Sequence, residues 1–182
     1  SDNGDLVGCT QGIGVWYEFL GTGDDVTIDI TNVSTDFEIG VASSSDCVTF
    51  AYVGCRDAST GNESLTFSST IGTTYYIYIG HWSNTSTATG SFDISLNCVP
   101  PGAVVWVGGT STDFNTASNW SSNAVPNCAT DIYIPSGTPN DLEVSGAFEC
   151  NNFTTDISVV ADVTIAGTLG ICGNVSLANG TN

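Results

Sequence analysis

Basic residues are almost absent from this sequence: it contains no lysine, and Arg56 is its single arginine, whereas Asp and Glu together number 19. The formal net charge is therefore −18, and the sequence pI is about 4.1. A polyanion of this kind repels nucleic acid and anionic lipid. We therefore expect no nucleic-acid partner.

Long apolar runs are also missing. The sequence has no uninterrupted apolar stretch of about 20 residues, the length that a transmembrane helix needs, so we expect no membrane span. The N-terminal run SDNGDLVGC lacks the basic and apolar regions of a signal peptide. We expect this start to be a processed or excised end.

Histidine occurs once, as His81 in the run YIYIGHWSNTS. A serine or cysteine nucleophile needs a base within hydrogen-bond reach, and a single histidine at a strand end argues against such a triad. Zinc sites usually combine closely spaced cysteine and histidine, and that spacing is missing. The sequence offers no catalytic residue, and we expect that the chain is not an enzyme.

Seven cysteines are present, and none forms a CxxC pair. This usage favours disulfides in an oxidising compartment over metal or redox sites. The predicted pairs, chosen from positions at strand ends, are Cys47 with Cys55 and Cys128 with Cys150, and a third candidate pair is Cys9 with Cys98. Cys172 is then left over.

Serine and threonine are abundant, with 21 and 24 residues, and together with β-branched apolar residues they suit half-exposed strands. Apolar residues alternate with a period of two over 15–20, 26–30, 37–42, 48–53, 65–67, 75–80 and 92–96. Turn-forming residues separate these segments, and no stretch carries a convincing helical period. The first half is therefore predicted to be an all-β sandwich of the jelly-roll or Ig-like type.

A second domain is predicted after Pro100 and Pro101, which cannot extend a central strand. The predicted organisation is a sandwich over 1–98, a linker over 99–103 and a second domain over 104–182. From Asn152, short apolar pieces recur between Gly, Asn or Asp, as in the rungs of a β-solenoid. Because the pattern stops at Asn182, we expect more rungs, further domains or neighbouring subunits to cover the last rung. Trp16, Trp106 and Trp120 are predicted core anchors.

Two family resemblances follow from longer motifs. The segments GVWYEFLGTGDDVTIDI, FEIGVASSSDC, CRDAS, TIGTTYYIYIGHW and GSFDISLNC resemble the pre-peptidase C-terminal domain, in the form common in secreted Bacteroidetes proteins. That family usually has one further strand before the VWY motif, which is not evident here. The segments WVGGTSTDFNTASNWSSNAVPNC, DIYIPSG and CNNFTTDISVVADVTIAGTLGICGNVSL resemble a repeat of long adhesins of the same phylum, which leads into parallel β-helices.

These resemblances imply a large exported protein at the cell surface or outside the cell, handled by the type IX secretion route, with attachment, gliding or filament roles. We therefore predict a non-catalytic structural or adhesive module of a secreted bacterial surface protein or extracellular filament. Its expected partners are neighbouring subunits, further domains of the same chain and surface glycans. The alternative is a carbohydrate-binding accessory region of a secreted hydrolase.

Two kinds of binding residue are candidates. Tyr76, Tyr78 and Trp82 could form a flat platform that stacks on sugar rings, with core packing as the alternative interpretation. Asp24 and Asp25 could help to bind a structural Ca²⁺, with solvated turn carboxylates as the alternative. Further calcium candidates are Asp2, Asp5, Asp46 and Asp57. No other cofactor is expected.

Asparagine sequons are frequent and would permit glycosylation in a suitable host, although chance explains many of them in a chain this rich in Asn, Ser and Thr. The candidate acceptors are Asn32, Asn62, Asn84, Asn119, Asn152, Asn174 and Asn179.

Overall fold

A computed structural model describes residues 12–46, 48–59, 61–83, 89–156 and 163–177. These residues form fifteen strands, joined by turns and a short 3-10 helix at Ala117–Asn119. The all-β prediction is thus confirmed. The chain divides into two compact units, Ser1–Val99 and Pro100–Asn182, and the division falls next to the Pro100–Pro101 pair.

The first unit contains two antiparallel sheets. Its strands are β1 (Gly14–Leu20), β2 (Asp25–Thr31), β3 (Phe37–Ser43), β4 (Ala51–Arg56), β5 (Glu63–Ser68), β6 (Thr74–His81) and β7 (Asp93–Val99). One sheet has the order β1-β6-β3-β4, and the other has the order β5-β2-β7. Every pairing within the two sheets is antiparallel.

Alternate residues of these strands build a single core. Val26, Ile28 and Ile30 of β2 pack in one cluster with Ile39 of β3 and Ile77 of β6, so both sheets contribute to it. Burying each such side chain contributes about 1.5–3 kcal/mol. Two sheets that share one core are consistent with the predicted β-sandwich.

One strand begins later than its apolar pattern predicts. The alternation indicated a strand from residue 48, but β4 begins at Ala51. Asp46 explains the difference, because its Oδ1 accepts the backbone N–H groups of Val48 at 2.9 Å and Thr49 at 2.7 Å. A side chain that bonds its own backbone in this way holds a turn and removes those donors from a ladder.

The second unit is built from parallel pairings. Its strands are β8 (Val104–Val105), β9 (Ile132–Ile134), β10 (Glu143–Val144), β11 (Ala147–Cys150), β12 (Phe153–Thr155), β13 (Thr164–Ile165), β14 (Thr168–Ile171) and β15 (Val175–Ser176). The largest sheet has the order β15-β12-β9-β8, and two smaller sheets pair β10 with β13 and β11 with β14. All of these pairings are parallel.

The parallel partners are separated by a nearly constant distance in sequence. Phe153 lies opposite Ile132, and Val175 lies opposite Phe153, which are separations of 21 and 22 residues. Thr168 lies opposite Ala147, again 21 residues away. Each successive pass of the chain therefore lies beside the previous one in the same direction.

Two buried tryptophans anchor the core of the second unit. The rings of Trp106 and Trp120 meet edge to face, with centroids 5.0 Å apart. Trp106 Nε1 donates to the carbonyl of Asn140, and Trp120 Nε1 donates to the carbonyl of Phe114. The prediction that both are core anchors is confirmed, whereas Trp16 is only half-buried and lies on the outer face of the first sheet.

Candidate functional site

Aromatic side chains cover part of the outer face of the four-stranded sheet. Trp16, Phe50, Tyr76 and Tyr78, here called the outer aromatic cluster, form a chain of ring contacts. The shortest contact joins Trp16 and Tyr78, whose ring centroids are 4.6 Å apart. Such offset contacts stabilise the face beyond the simple burial of area.

Tyr78 is the part of the predicted sugar platform that the structure contradicts. Its side chain is completely buried, and its hydroxyl donates to the carbonyl of Gly12 at 2.6 Å. The ring lies so close to β6 and β1 that a Cβ on Gly80 or Gly14 would collide with it. Tyr78 therefore packs and offers no stacking surface, because the glycines beside it let the ring lie flat on the sheet.

The other two platform residues keep some exposed surface. Tyr76 is half-buried against Phe50, with ring centroids 5.4 Å apart, and Trp82 is 57% exposed just after β6. Tyr52, 60% exposed, was not predicted, yet it shares the outer face with Tyr76 because both residues lie opposite Ala42.

A hydroxyl-rich cleft of about 460 Å³ opens at one end of the same unit. Its lining consists of Ser43, Ser44, Ser45, Thr49, Ala51, Gly72, Thr73 and Thr74. The Asp46 turn lies beside it, and hydrogen bonds from the backbone of Thr49 and Val48 and from Ser44 lower the pKa of Asp46. Asp46 is thus held as an anion by neutral donors.

Four acidic residues form a second feature of the first unit. Asp36, Glu38, Asp57 and Glu63, here called the carboxylate cluster, interact electrostatically with one another. Glu38 is 1% exposed, and burial together with the negative charge of Asp57 raises its pKa to about 8. Burial also raises the pKa of Glu63, which is 3% exposed.

The predicted calcium ligands Asp24 and Asp25 do not belong to this cluster. Asp24 Oδ2 accepts the Thr22 hydroxyl at 2.7 Å, and Asp25 Oδ1 accepts the Ser68 hydroxyl at 2.6 Å. Each carboxylate therefore bonds a neighbouring hydroxyl, as expected of turn and strand-edge acids. Asp2 and Asp5 lie outside the described residues.

The cysteines pair differently from the prediction in the second unit. Cys128 bonds Cys172, 44 residues away, and not Cys150. The presence of a disulfide is confirmed, but the predicted partner is wrong. Ile171 lies opposite Cys150 in the parallel ladder, so Cys172 falls one residue out of phase and is exposed, whereas Cys150 points into the core.

Cys150 is a buried thiol whose pKa is raised to about 11 by burial and by the charge of Asp131. It is therefore unreactive at neutral pH. In the first unit, Cys55 is disulfide-bonded. Cys47 and Cys9 lie outside the described residues, so the pairs of Cys47 with Cys55 and of Cys9 with Cys98 stay predictions.

The sequon asparagines have very different surroundings. Asn119 is completely buried, its Oδ1 accepts the backbone N–H groups of Thr110 and Ser111, and its Nδ2 donates to Ser111 and Asp113. All of its bonding capacity is used inside the fold, so the prediction of Asn119 as a glycan acceptor is wrong for the folded protein.

Among the other sequons, Asn32, Asn62 and Asn174 are exposed, whereas Asn152 is half-buried. Asn152 belongs to a row of polar contacts between successive passes of the chain, here called the amide ladder. Asp131 Oδ1 accepts the Nδ2 groups of Asn151 at 2.7 Å and Asn152 at 2.8 Å, and Asn152 Oδ1 accepts the backbone N–H of Asn174 at 2.8 Å. Asn84 and Asn179 lie outside the described residues.

His81 ends β6 in a buried position, with its ring packed against Phe37 at a centroid distance of 4.9 Å. It lies between backbone partners, since its N–H donates to Ile13 and its carbonyl accepts from Gly12. This placement fits the structural interpretation of His81.

No protein-family model matches the chain, and no curated protein or solved structure matches it either. Within the part of the chain that the structure describes, no helix is long and apolar enough to cross a membrane. The function must therefore be argued from the geometry of the two units.

Sequence reasoning missed the burial of Glu38 and Glu63 and the amide ladder. Glu38 follows Phe37 in an alternating strand, a pattern that predicts a solvent-facing acid. The amide ladder left a detectable signal: Asp131, Asn152 and Asn174 lie 21 and 22 residues apart, the spacing of the parallel passes.

Proposed function

We propose that this chain is a non-catalytic structural or adhesive module of a secreted bacterial surface protein or extracellular filament. The second unit is, in this proposal, the start of a β-solenoid. The constant separation of 21 or 22 residues between parallel partners supports it, because stacked rungs of one length produce that spacing. The amide ladder supports it too, since side-chain amides at equivalent places bond from rung to rung.

The observation that carries the proposal is the parallel edge at the last described pass. Strands β13, β14 and β15 each lie at the edge of their sheet. Ile165, Val175 and Leu177 in this pass are more than half exposed. An uncovered parallel edge with apolar side chains favours the addition of another strand layer, from the same polypeptide or from a neighbouring subunit.

Self-association of the 182-residue chain tests this proposal. We expect sedimentation and thermal melting to depend on concentration, and we expect the double variant Ile165→Lys, Val175→Lys to be monomeric because the charges block the edge. Ile71→Lys is the matched control, since Ile71 is a strongly exposed apolar residue of the first unit. A cooperative melt of a monomer at every concentration would contradict the proposal.

The secretion and surface location are supported by the disulfide between Cys128 and Cys172, which requires oxidising conditions to persist. Mass mapping of the protein from its native source under non-reducing conditions tests this part. Free thiols at both positions would remove the support.

The second candidate function, carbohydrate binding, has one specific observation in its favour. The hydroxyl-rich cleft lies on the unit that also exposes Tyr52 and Tyr76 on its outer face. Hydroxyls and aromatic faces are the groups that bind sugars by hydrogen bonding and stacking. A glycan array with the chain and its Tyr52→Ala variant separates the candidates: binding that depends on Tyr52 favours the accessory carbohydrate-binding role.

A further inference from the structure

The carboxylate cluster is brought together at one end of the first unit by the strand register. Ile39 of β3 lies opposite Arg56 at the end of β4, which places Glu38 beside Asp57. Ile30, near the end of β2, lies opposite Glu63, the first residue of β5. The turns that join β2 to β3 and β4 to β5 therefore meet at the same end, and they bring Asp36 with them.

Three oxygen atoms of this cluster are buried without a hydrogen-bond partner: Oδ1 of Asp36, Oε2 of Glu38 and Oε2 of Glu63. Glu38 and Glu63 are 1% and 3% exposed, so water does not readily reach them. Their other contacts hold them in place, because Glu63 Oε1 accepts the Ala58 N–H at 2.6 Å and the Glu38 carboxyl hydrogen-bonds that of Asp57. Buried carboxylates normally pair with a donor or bind a metal.

The protein itself cannot neutralise this cluster. Arg56 is the only lysine or arginine in the entire sequence, and it acts on Glu63 from the end of β4. One positive charge stands against four carboxylates, and no other fixed cation exists in the chain to balance the remainder. A positive charge must come from solution if these acids are to be ionised together.

We propose that Asp36, Glu38, Asp57 and Glu63 form a binding site for one calcium ion. All four donors are carboxylates, the hard oxygen ligands that calcium prefers, and calcium tolerates the irregular geometry of ligands drawn from several loops. Asp57 is exposed and lies at the entrance, so an ion can enter from solvent. The site lies apart from Asp24 and Asp25, and it does not depend on the structural or adhesive role proposed above.

Calorimetric titration of the chelator-treated 182-residue chain with calcium chloride tests the proposal. We expect one ion per chain, with a dissociation constant of about 10⁻⁴–10⁻³ M, as in extracellular modules, and a higher melting temperature with calcium. Magnesium should bind more weakly because it requires a tighter octahedral geometry. Asp57→Asn should weaken calcium binding about tenfold or more while the fold is kept, since Asp57 is exposed.

Glu38→Gln should also weaken calcium binding, and near-ultraviolet circular dichroism checks that this variant is folded. The matched control is the double variant Asp24→Asn, Asp25→Asn, which removes two negative charges elsewhere in the same unit and should bind calcium as the unchanged chain does. The proposal is overturned if no binding occurs up to about 10 mM calcium, a concentration well above the range of such sites. Calcium binding that survives Asp57→Asn and disappears in the control would overturn it equally.

Discussion

The two units keep their acidic side chains in different ways. In the second unit, Asp131 lies among neutral donors, and one of its oxygens accepts the amides of Asn151 and Asn152. In the first unit, Glu38 and Glu63 are buried and each keeps an oxygen without a partner. A chain without lysine must bind its carboxylates with hydroxyl, amide and backbone donors, and the carboxylate cluster is the place where those donors do not suffice.

The strand topology explains the difference. Parallel passes of constant length bring equivalent turns beside each other, so an asparagine on one pass can donate to an aspartate on the previous one. Antiparallel strands of a sandwich bring unrelated turns together at one end, and there four acids meet with a single arginine. A repeating architecture thus repeats its polar solution as well, whereas a sandwich end must be balanced case by case.

The largest expected effect separates the two units. Trp120→Ala should destabilise the second unit by about 3–5 kcal/mol, because it removes a buried ring that contacts Trp106 and Phe114. Urea unfolding followed by circular dichroism and limited proteolysis should show loss of the second unit alone. Trp82→Ala, which removes an exposed ring, is the control. Loss of both units together would show that they unfold as one.

The next effect concerns the disulfide of the second unit. Cys128→Ser and Cys172→Ser should each cost about 2–4 kcal/mol, and the double variant should cost no more than either, because all three remove the same bond. Cys150→Ala is the control, since it leaves that bond intact. If Cys150→Ala behaved like Cys128→Ser and Cys172→Ser were nearly neutral, the originally predicted pair would be restored.

A smaller effect tests the amide ladder. Asp131→Ala should lower the free energy of unfolding by about 2 kcal/mol, because it leaves two half-buried amide groups without their charged acceptor. Asp141→Ala, at an exposed position, should be close to neutral. Chemical denaturation of the second unit measures both. Equal stability of the two variants would mean that the ladder contributes nothing.

The smallest effect, spread over several pH units, concerns Glu38 with calcium removed by chelator. Its pKa is raised to about 8, so the folded state keeps a proton that the unfolded chain releases above about pH 4.5. The stability of the first unit should therefore fall as pH rises from about 4.5 to 8, by at most about 1.4 kcal/mol per pH unit.

Melting at a series of pH values measures this slope. The groups that surround Glu38 are Asp36, Asp57, Glu63 and Arg56, and Gly80 lies opposite it on β6. Glu38→Gln should flatten the profile, whereas Glu18→Gln, which changes an exposed acid on β1, should leave the slope in place. A profile that is the same with and without Glu38 would contradict the assignment.

Local sequence determined the strands well and the site residues poorly. A period of two in apolar residues depends only on neighbours along the chain, so six of the seven strands of the first unit lie where the alternation predicts them, and β4 is displaced only because Asp46 bonds Val48 and Thr49. Burial of Tyr78 depends on Gly14 and Gly80 lying beneath its ring, and Gly14 lies on a different strand.

By itself the sequence determined that this protein is all-β, that it contains disulfide-bonded cysteines, and that its acids face a nearly complete lack of fixed cations. Only the tertiary structure decided that Cys172 and not Cys150 bonds Cys128, and that Glu38 and Glu63 are buried together. The reason is register: a shift of one residue between paired strands moves a side chain from the core to the surface, and that shift is fixed by packing between segments far apart in the chain.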